Sequence, residues 1–162
     1  MRGSRFIATL VCVLAGIAAV GGAAESPALR TVVVNEVELN PDGFDRNAEW
    51  VELLNVGTAA IDLAGWSVSC NYPADRAAVI SGQSLVLRPG ERYVFHYVGL
   101  CLRNDANTVI RLLDAAGARI DETPALRDVL DDKKTWQRIP DGGDPLLPLW
   151  LFRDGTMNAP NA

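Results

Sequence analysis

Histidine is almost absent from this sequence. His96 is the one imidazole in 162 residues, which excludes a His-Glu-x-x-His zinc centre and any reaction that needs two imidazoles. Nor is there a Gly-x-Ser-x-Gly elbow, a Walker loop or a Cys-x-x-Cys pair. His96 lies between Phe95 and Tyr97 in a β-prone run, where a lone histidine packs or lines an edge and does not react. No thiol nucleophile is left either if Cys70 and Cys101 are bonded. Clustered basic residues are missing too: the chain carries 15 Lys and Arg against 20 Asp and Glu, a net charge of −5. An acidic surface repels phosphate backbones, so nucleic acid is not an expected partner. Beyond residue 24 no apolar run reaches the ~20 residues that a spanning helix requires, and the chain ends in Asn161-Ala162 without a hydrophobic tail or a sorting motif.

The first 24 residues have the three-part layout of a secretory signal peptide. Arg2 and Arg5 supply the positive end, Phe6 to Val20 carries no charge, and Gly22-Ala23-Ala24 offers small residues for cleavage before Glu25. The competing reading, a retained membrane anchor, is disfavoured by the shortness of the apolar run. A lipoprotein reading fails because Cys12 sits inside that run and follows Val11. Removing the segment leaves residues 25–162, one domain's worth of chain with a real core. Loss of Arg2 and Arg5 takes the net charge from −5 to −7, which favours solubility. The expected mature protein is soluble and secreted or periplasmic.

From there on, short β-prone runs alternate with Gly, Pro, Asn and Asp at the close spacing of sandwiches and barrels. The spacing predicts strands over 31–39, 49–55, 65–70, 77–80, 83–87, 92–98, 108–114, 119–121 and 135–139. Trp66, Val68 and Cys70 alternate with Ser67 and Ser69, the signature of a half-buried strand. Tyr93, Phe95 and Tyr97 alternate with Val94, His96 and Val98, and two apolar faces predict a central strand. Run 31–39 is clean in neither frame, and a β-bulge near Asn35 would switch frames. Arg88-Pro89-Gly90-Glu91 reads as a type II turn. Gly57, Gly65 and Gly90 stand between strands, where a positive φ is often wanted. One helix is expected over 124–133, capped by Thr123, with Pro124 at its first position, Leu126, Val129 and Leu130 on one face, and Lys133 and Lys134 at its C-terminal end. The competing reading of that segment is an acidic connecting loop.

Four segments, in order, resemble the lamin tail domain family in its prokaryotic, secreted branch. Val33-Val34-Asn35-Glu36-Val37-Glu38-Leu39-Asn40-Pro41-Asp42-Gly43 is similar to the family's opening strand and Asn-Pro-x-Gly turn. Glu49-Trp50-Val51-Glu52-Leu53-Leu54-Asn55 resembles its Glu-Trp-Val-Glu-Leu strand. Ile61 to Val68 contains an Asp-Leu-x-Gly-Trp turn, and Trp136-Gln137-Arg138-Ile139-Pro140-Asp141-Gly142 resembles the closing segment. Near the end, Pro160-Asn161 keeps the family's Pro-Asn without its usual earlier Pro-Gly. The resemblance implies an all-β, immunoglobulin-like antiparallel β-sandwich and a role in recognition or scaffolding with no reaction and no cofactor attached. Val51, Leu53, Trp66, Val68, Phe95 and Leu112 are the expected core, and Trp50 and Trp66 suit anchoring positions at its edge.

Two sets of candidate site residues remain. Glu36, Glu38, Asp42, Asp45, Glu49 and Glu52 crowd into the first hairpin. Asp42 and Asp45, with nearby carbonyls, are the weak candidates for a calcium site in loop 40–47, since hard oxygen ligands suit that ion. Their spacing matches no EF-hand loop, so the expectation is that no metal is required. The competing reading is a solvated acidic rim with some carboxylates bonded to backbone amides. Cys70 and Cys101 are left once Cys12 goes with the signal peptide, an even pair in an oxidising compartment, and a disulfide between them is expected. Closing a loop of roughly 30 residues contributes on the order of 3–4 kcal/mol by chain entropy. Two functions from different classes follow. One is an extracytoplasmic binding or adhesion module that meets a protein or glycan partner through its loops or an exposed strand edge. The other is a self-associating structural accessory of an envelope or spore-surface layer.

Overall fold

A computed structural model describes residues 31–143 and 149–161. The expected signal peptide and its cleavage point lie outside the described residues. Among the described residues eleven strands follow in order: β1 (Val32–Glu38), β2 (Trp50–Asn55), β3 (Ile61–Asp62), β4 (Ser67–Cys70), β5 (Arg76–Val79), β6 (Val86–Leu87), β7 (Arg92–His96), β8 (Arg111–Leu113), β9 (Arg119–Glu122), β10 (Lys134–Ile139) and β11 (Leu149–Asp154). They form a five-stranded sheet in the order β11-β10-β1-β2-β7, a four-stranded sheet in the order β5-β4-β8-β9, and the short pair β3-β6. Every strand pairing is antiparallel. The chain is an immunoglobulin-like β-sandwich.

Between the layers Val51, Leu53, Trp66, Val68, Phe95 and Leu112 all enter one apolar cluster, as the alternation within their strands predicts. Trp50 is buried as well. The bulge falls where expected, between Val34 and Glu36 of β1. It changes what β1 does along its length. Beyond the bulge Glu36 and Val37 pair with Gln137 and Trp136 of β10, whereas at Val34 side chains take the place of the ladder. Val34 N donates to Asp121 Oδ2 of β9 at 2.9 Å, and Val34 O accepts from Arg138 Nε at 2.8 Å. Arg138 Nη2 donates to the same Asp121 oxygen at 2.5 Å, and both side chains are buried. The two sheets are thereby joined by an ion pair, not by apolar packing alone.

All of β1 and β2 is buried on both faces, because the C-terminal segment covers the side of the five-stranded sheet that points away from the core. Glu36 accepts from Thr156 N and Thr156 Oγ1 at 2.7 and 2.8 Å. Glu52 accepts from Asn158 N at 2.7 Å. Asn161 Nδ2 donates to the carbonyls of Asn35 and Arg138 at 3.0 and 2.9 Å. Pro160-Asn161 therefore docks without the earlier Pro-Gly.

Other expectations are corrected. No helix forms over 124–133. Leu126 exchanges both backbone hydrogen bonds with Thr108, at 2.7 and 2.8 Å, which occupies the groups a helix would need, and Thr123 Oγ1 accepts from Ile110 N instead of capping. Leu126 is buried while Val129 and Leu130 are exposed, so the three do not share a face. Strand β7 is not central. Among the described residues it pairs with β2 only and forms one edge of its sheet, with His96 and Val98 exposed. Strand β11 was not expected, and several predicted strands are shorter than the runs that suggested them.

The turn at 88–91 has the predicted geometry: Gly90 takes φ 76° and Glu91 N donates to Arg88 O at 2.9 Å. Gly57 does not take a positive φ. It is confined by space, since a Cβ there would lie 3.2 Å from Asn55 Oδ1. Leu112 has no exposed surface, so Leu112→Ala should lower the free energy of unfolding by about 2–5 kcal/mol. The exposed change Val86→Thr should stay within about 0.5 kcal/mol in the same denaturant titration.

Candidate functional site

Three loops meet at one end of the sandwich, and the sequence explains why they hold still. Strand β4 ends in Cys70, which is joined to Cys101 by a disulfide with Cα atoms 4.9 Å apart. Asn71 N and Tyr72 N both donate to Cys101 O at 2.9 Å. From the first hairpin the buried Glu49 carboxylate accepts from Cys101 N at 2.7 Å and from Leu102 N at 3.1 Å. Asn47 braces the same turn twice: its N–H donates to Gly99 O at 2.9 Å and its Oδ1 accepts from Gly99 N at 2.6 Å. Loops 40–48, 71–75 and 99–106 are thus tied by one covalent and several polar cross-links.

The tied loops enclose an open cavity of about 280 Å³ lined by Asp45, Tyr72, Leu100, Leu102, Arg103, Asn104 and Asp105. Asn104 Nδ2 donates to Asn40 Oδ1 at 2.8 Å and to Asp45 Oδ2 at 3.2 Å. Arg103 forms a two-pronged pair with Asp105, both contacts at 3.1 Å. Tyr72 remains 41% exposed. Burial, and then the neighbouring Asp131 carboxylate, hold the Asp45 carboxyl above its usual range.

Asp42 and Asp45, expected as one weak calcium pair, face different places. Asp42 is exposed on the rim of a second cavity of about 230 Å³ with Glu38, Trp50, Asp132 and Met157, while Asp45 lines the first. Among the described residues no group of three or more His, Cys, Asp or Glu side chains is placed to hold a metal ion. Of the acidic series, Glu36, Glu38, Glu49 and Glu52 are the carboxylates bonded to backbone amides, and the solvated rim is limited to the exposed Asp42 and the half-buried Asp45. These four glutamates are all buried; Glu36, Glu49 and Glu52 accept from distant segments, whereas Glu38 accepts from Asn40 N, two residues on, at 3.1 Å. Tyr72, Arg103, Asn104 and Asp105 were missed by sequence reasoning. Their only signal was a polar Arg-Asn-Asp run just after Cys101, which reads as ordinary loop punctuation.

The geometry defines a class first: a two-layer β-sandwich with tied loops at one end, suited to binding or building. The sequence pattern of the Lamin Tail Domain family matches residues 25–125, and the chain belongs to that family of non-enzymatic β-sandwich modules. The match takes in β1 to β9 and three of the four resembling segments; the Trp136–Gly142 segment lies beyond it. No curated protein and no solved structure matches the chain.

Two of the buried glutamates make stability depend on pH. Burial, chiefly, and the like charges of Asp128, Asp132 and Glu36 push Glu38 from 4.5 up to about 8. Burial raises Glu49 to about 7 against the lowering effect of the Leu102 and Cys101 amides. The fold therefore holds protons that the unfolded chain releases near pH 4.5, and the stability tied to them is complete below that value and lost as pH rises through 7 to 8. Unfolding titrations should show stability falling across pH 4.5 to 8 from these groups, and Glu38→Gln should flatten the upper part of that slope. An unchanged slope in Glu38→Gln would show that Glu38 is not the group responsible.

Proposed function

We propose that this chain is an exported, non-catalytic binding or adhesion module of the prokaryotic, secreted lamin-tail type, working outside the cytoplasm on a protein or glycan partner. The observation that carries the reading is the disulfide between Cys70 and Cys101 at the loop end, since such bonds persist in oxidising compartments. The charged start, apolar run and small-residue site of residues 1–24 support export from an independent part of the chain. Among the described residues no helix is long and apolar enough to cross a membrane. On this reading the module needs neither cofactor nor structural metal, and Asp42 and Asp45 serve the loops and not an ion.

A second reading, self-association into a surface layer, has its own support. Among the described residues strand β7 is an open sheet edge, and Val98, just past it, is 85% exposed; an unpaired edge is a template for another strand. Intact-mass measurement of chain recovered from the medium or periplasm tests the first reading. The mature protein should begin at Glu25 within a residue or two and show no reactive thiol when denatured without reductant. Uncleaved chain in the membrane fraction, or two free thiols, would contradict it. Sizing across a wide concentration range should give a constant monomer mass, whereas growth with concentration would favour the second reading.

A further inference from the structure

We propose that the cavity between loops 40–48, 71–75 and 99–106 is a binding site for a neutral sugar unit of a glycan. This rests on the module reading above and names the class of ligand for its loop end.

The shape of the site comes first. Its volume of about 280 Å³ lies at the low end of small-molecule pockets, which run from about 300 to 1,000 Å³. One ring-sized unit fits it better than a larger compound, and because the cavity is open the rest of a chain could continue into solvent. Its walls are preformed by the Cys70–Cys101 disulfide, the Glu49 clamp and the Asn47–Gly99 brace, so a guest would order little that is not already ordered.

The chemistry of the walls narrows the guest. A sugar ring offers neighbouring hydroxyls along its edge and C–H groups on its faces. Flat side chains with paired donors and acceptors suit the first, and an aromatic ring suits the second. Asp45, Arg103, Asn104 and Asp105 supply carboxylates, a guanidinium and an amide within a single turn of chain and its neighbour. Their orientation is fixed by contacts among themselves: the Arg103–Asp105 fork at 3.1 Å and the Asn104–Asp45 bond at 3.2 Å. Asp45 Oδ1, Asn104 Oδ1 and Arg103 Nη1 take no partner among the described residues and remain available to hydroxyls.

Tyr72 supplies the platform. Its backbone is held from both sides, with N donating to Cys101 O at 2.9 Å and O accepting from Arg76 Nη1 at 3.1 Å. The residue is nevertheless 41% exposed and lines the cavity.

Charge decides between neutral and anionic sugars. The one cation lining the cavity, Arg103, is already paired with Asp105, which leaves Asp45 and an acidic mature protein whose net charge is −7 once Arg2 and Arg5 are lost from the −5 of the whole chain. Uronic or sialic acids would meet repulsion. For a single ring of about a dozen heavy atoms, ~0.3 kcal/mol per atom corresponds to a Kd on the order of millimolar, enough for adhesion when many copies bind a polymer.

Amide chemical shifts of the mature protein, titrated separately with lactose, mannotriose, cellotriose and chitotriose at millimolar concentration, provide the test. At least one of them should move the amides of residues 45, 72 and 102–105 while leaving β5 and β11 unmoved. Asn104→Ala and Tyr72→Ala should each weaken that sugar at least ten-fold with the melting temperature of Asn104→Ala unchanged; should Tyr72→Ala fail to fold, Asn104→Ala and the wild-type map decide. No movement at those residues with any of the four, together with no retention on a panel of immobilised neutral glycans, would overturn the site. So would shifts confined to β7 on adding an extended peptide, or binding that survives Asn104→Ala undiminished. These failures leave the export reading intact, because that is tested by the N-terminus and the thiol count and not by any sugar.

Discussion

The ion pair between Asp121 and Arg138 is the constraint on which the rest of the sandwich depends. Asp121 stands on the four-stranded sheet and Arg138 on the five-stranded one, and a single carboxylate oxygen takes both the Arg138 guanidinium and the backbone N–H of Val34. Arg138 returns a bond to Val34 O, and its guanidinium lies 5.0 Å from the centre of the Trp150 ring. Taking two charges out of water is costly, and the pair holds only because geometry and additional hydrogen bonds compensate. Here the compensation needs the bulge at Asn35, which leaves Val34 off the β10 ladder so that its N–H and carbonyl are free for the two side chains. Bulge, ion pair and sheet spacing are one arrangement.

A second polar layer stands on the opposite face and depends on the same bulge. Asn35 donates to Glu52 Oε1 and to Asp141 Oδ1, each at 3.0 Å, and accepts from Gly142 N at 2.9 Å. Arg92, from edge strand β7, pairs with both Glu52 and Asp141. Gly142 has φ 74°, and a Cβ there would come within 2.5 Å of Val56 Cγ1, so the closing Asp-Gly turn admits no larger residue without movement. Onto this layer the C-terminal segment is fastened by Glu36 and Glu52. Most polar groups of this layer that would be expensive if orphaned are engaged, Arg92 Nε and Gln137 Oε1 being buried without a hydrogen-bond partner among the described residues, and such networks fix a single arrangement of strands. The loops beside the disulfide, by contrast, carry exposed polar side chains.

How much of this was legible follows from where the information lies. Alternation placed Val51, Leu53, Trp66 and Val68 in the core because a strand's period of two sorts residues by face. The ambiguous frames of 31–39 pointed to the bulge, and Pro89-Gly90 to its turn, since both are local consequences of backbone geometry. The buried glutamates were not legible. Glu36 and Glu52 are buried by Thr156 and Asn158, about a hundred residues away, and no window of sequence carries that. The helix expected at 124–133 failed for a similar reason: Thr123, Pro124 and the Leu126 spacing favour a helix locally, but the backbone of Leu126 is engaged by Thr108. Two apolar faces made 92–98 look central, yet Val94, His96 and Val98 line an outer edge. The candidate site was half visible, as Asp45 and the disulfide, while Tyr72, Arg103, Asn104 and Asp105 gather only once the loops are tied together.

The family segment Trp136-Gln137-Arg138 thus marks a structural position: its arginine is buried and bonded to the opposite sheet, where no solute reaches it. A binding module needs that kind of interior, rigid and chemically closed, to hold its loops in place. The most direct measurement is a double-mutant cycle on the pair, with unfolding free energies for Asp121→Leu, Arg138→Met and the two combined. Each single change should cost about 3–5 kcal/mol because it leaves a buried charge without its partner, and the double variant should fall short of the sum by at least about 2 kcal/mol. Additive losses would contradict the account, since they would mean that the two residues act separately and that something else holds the sheets together.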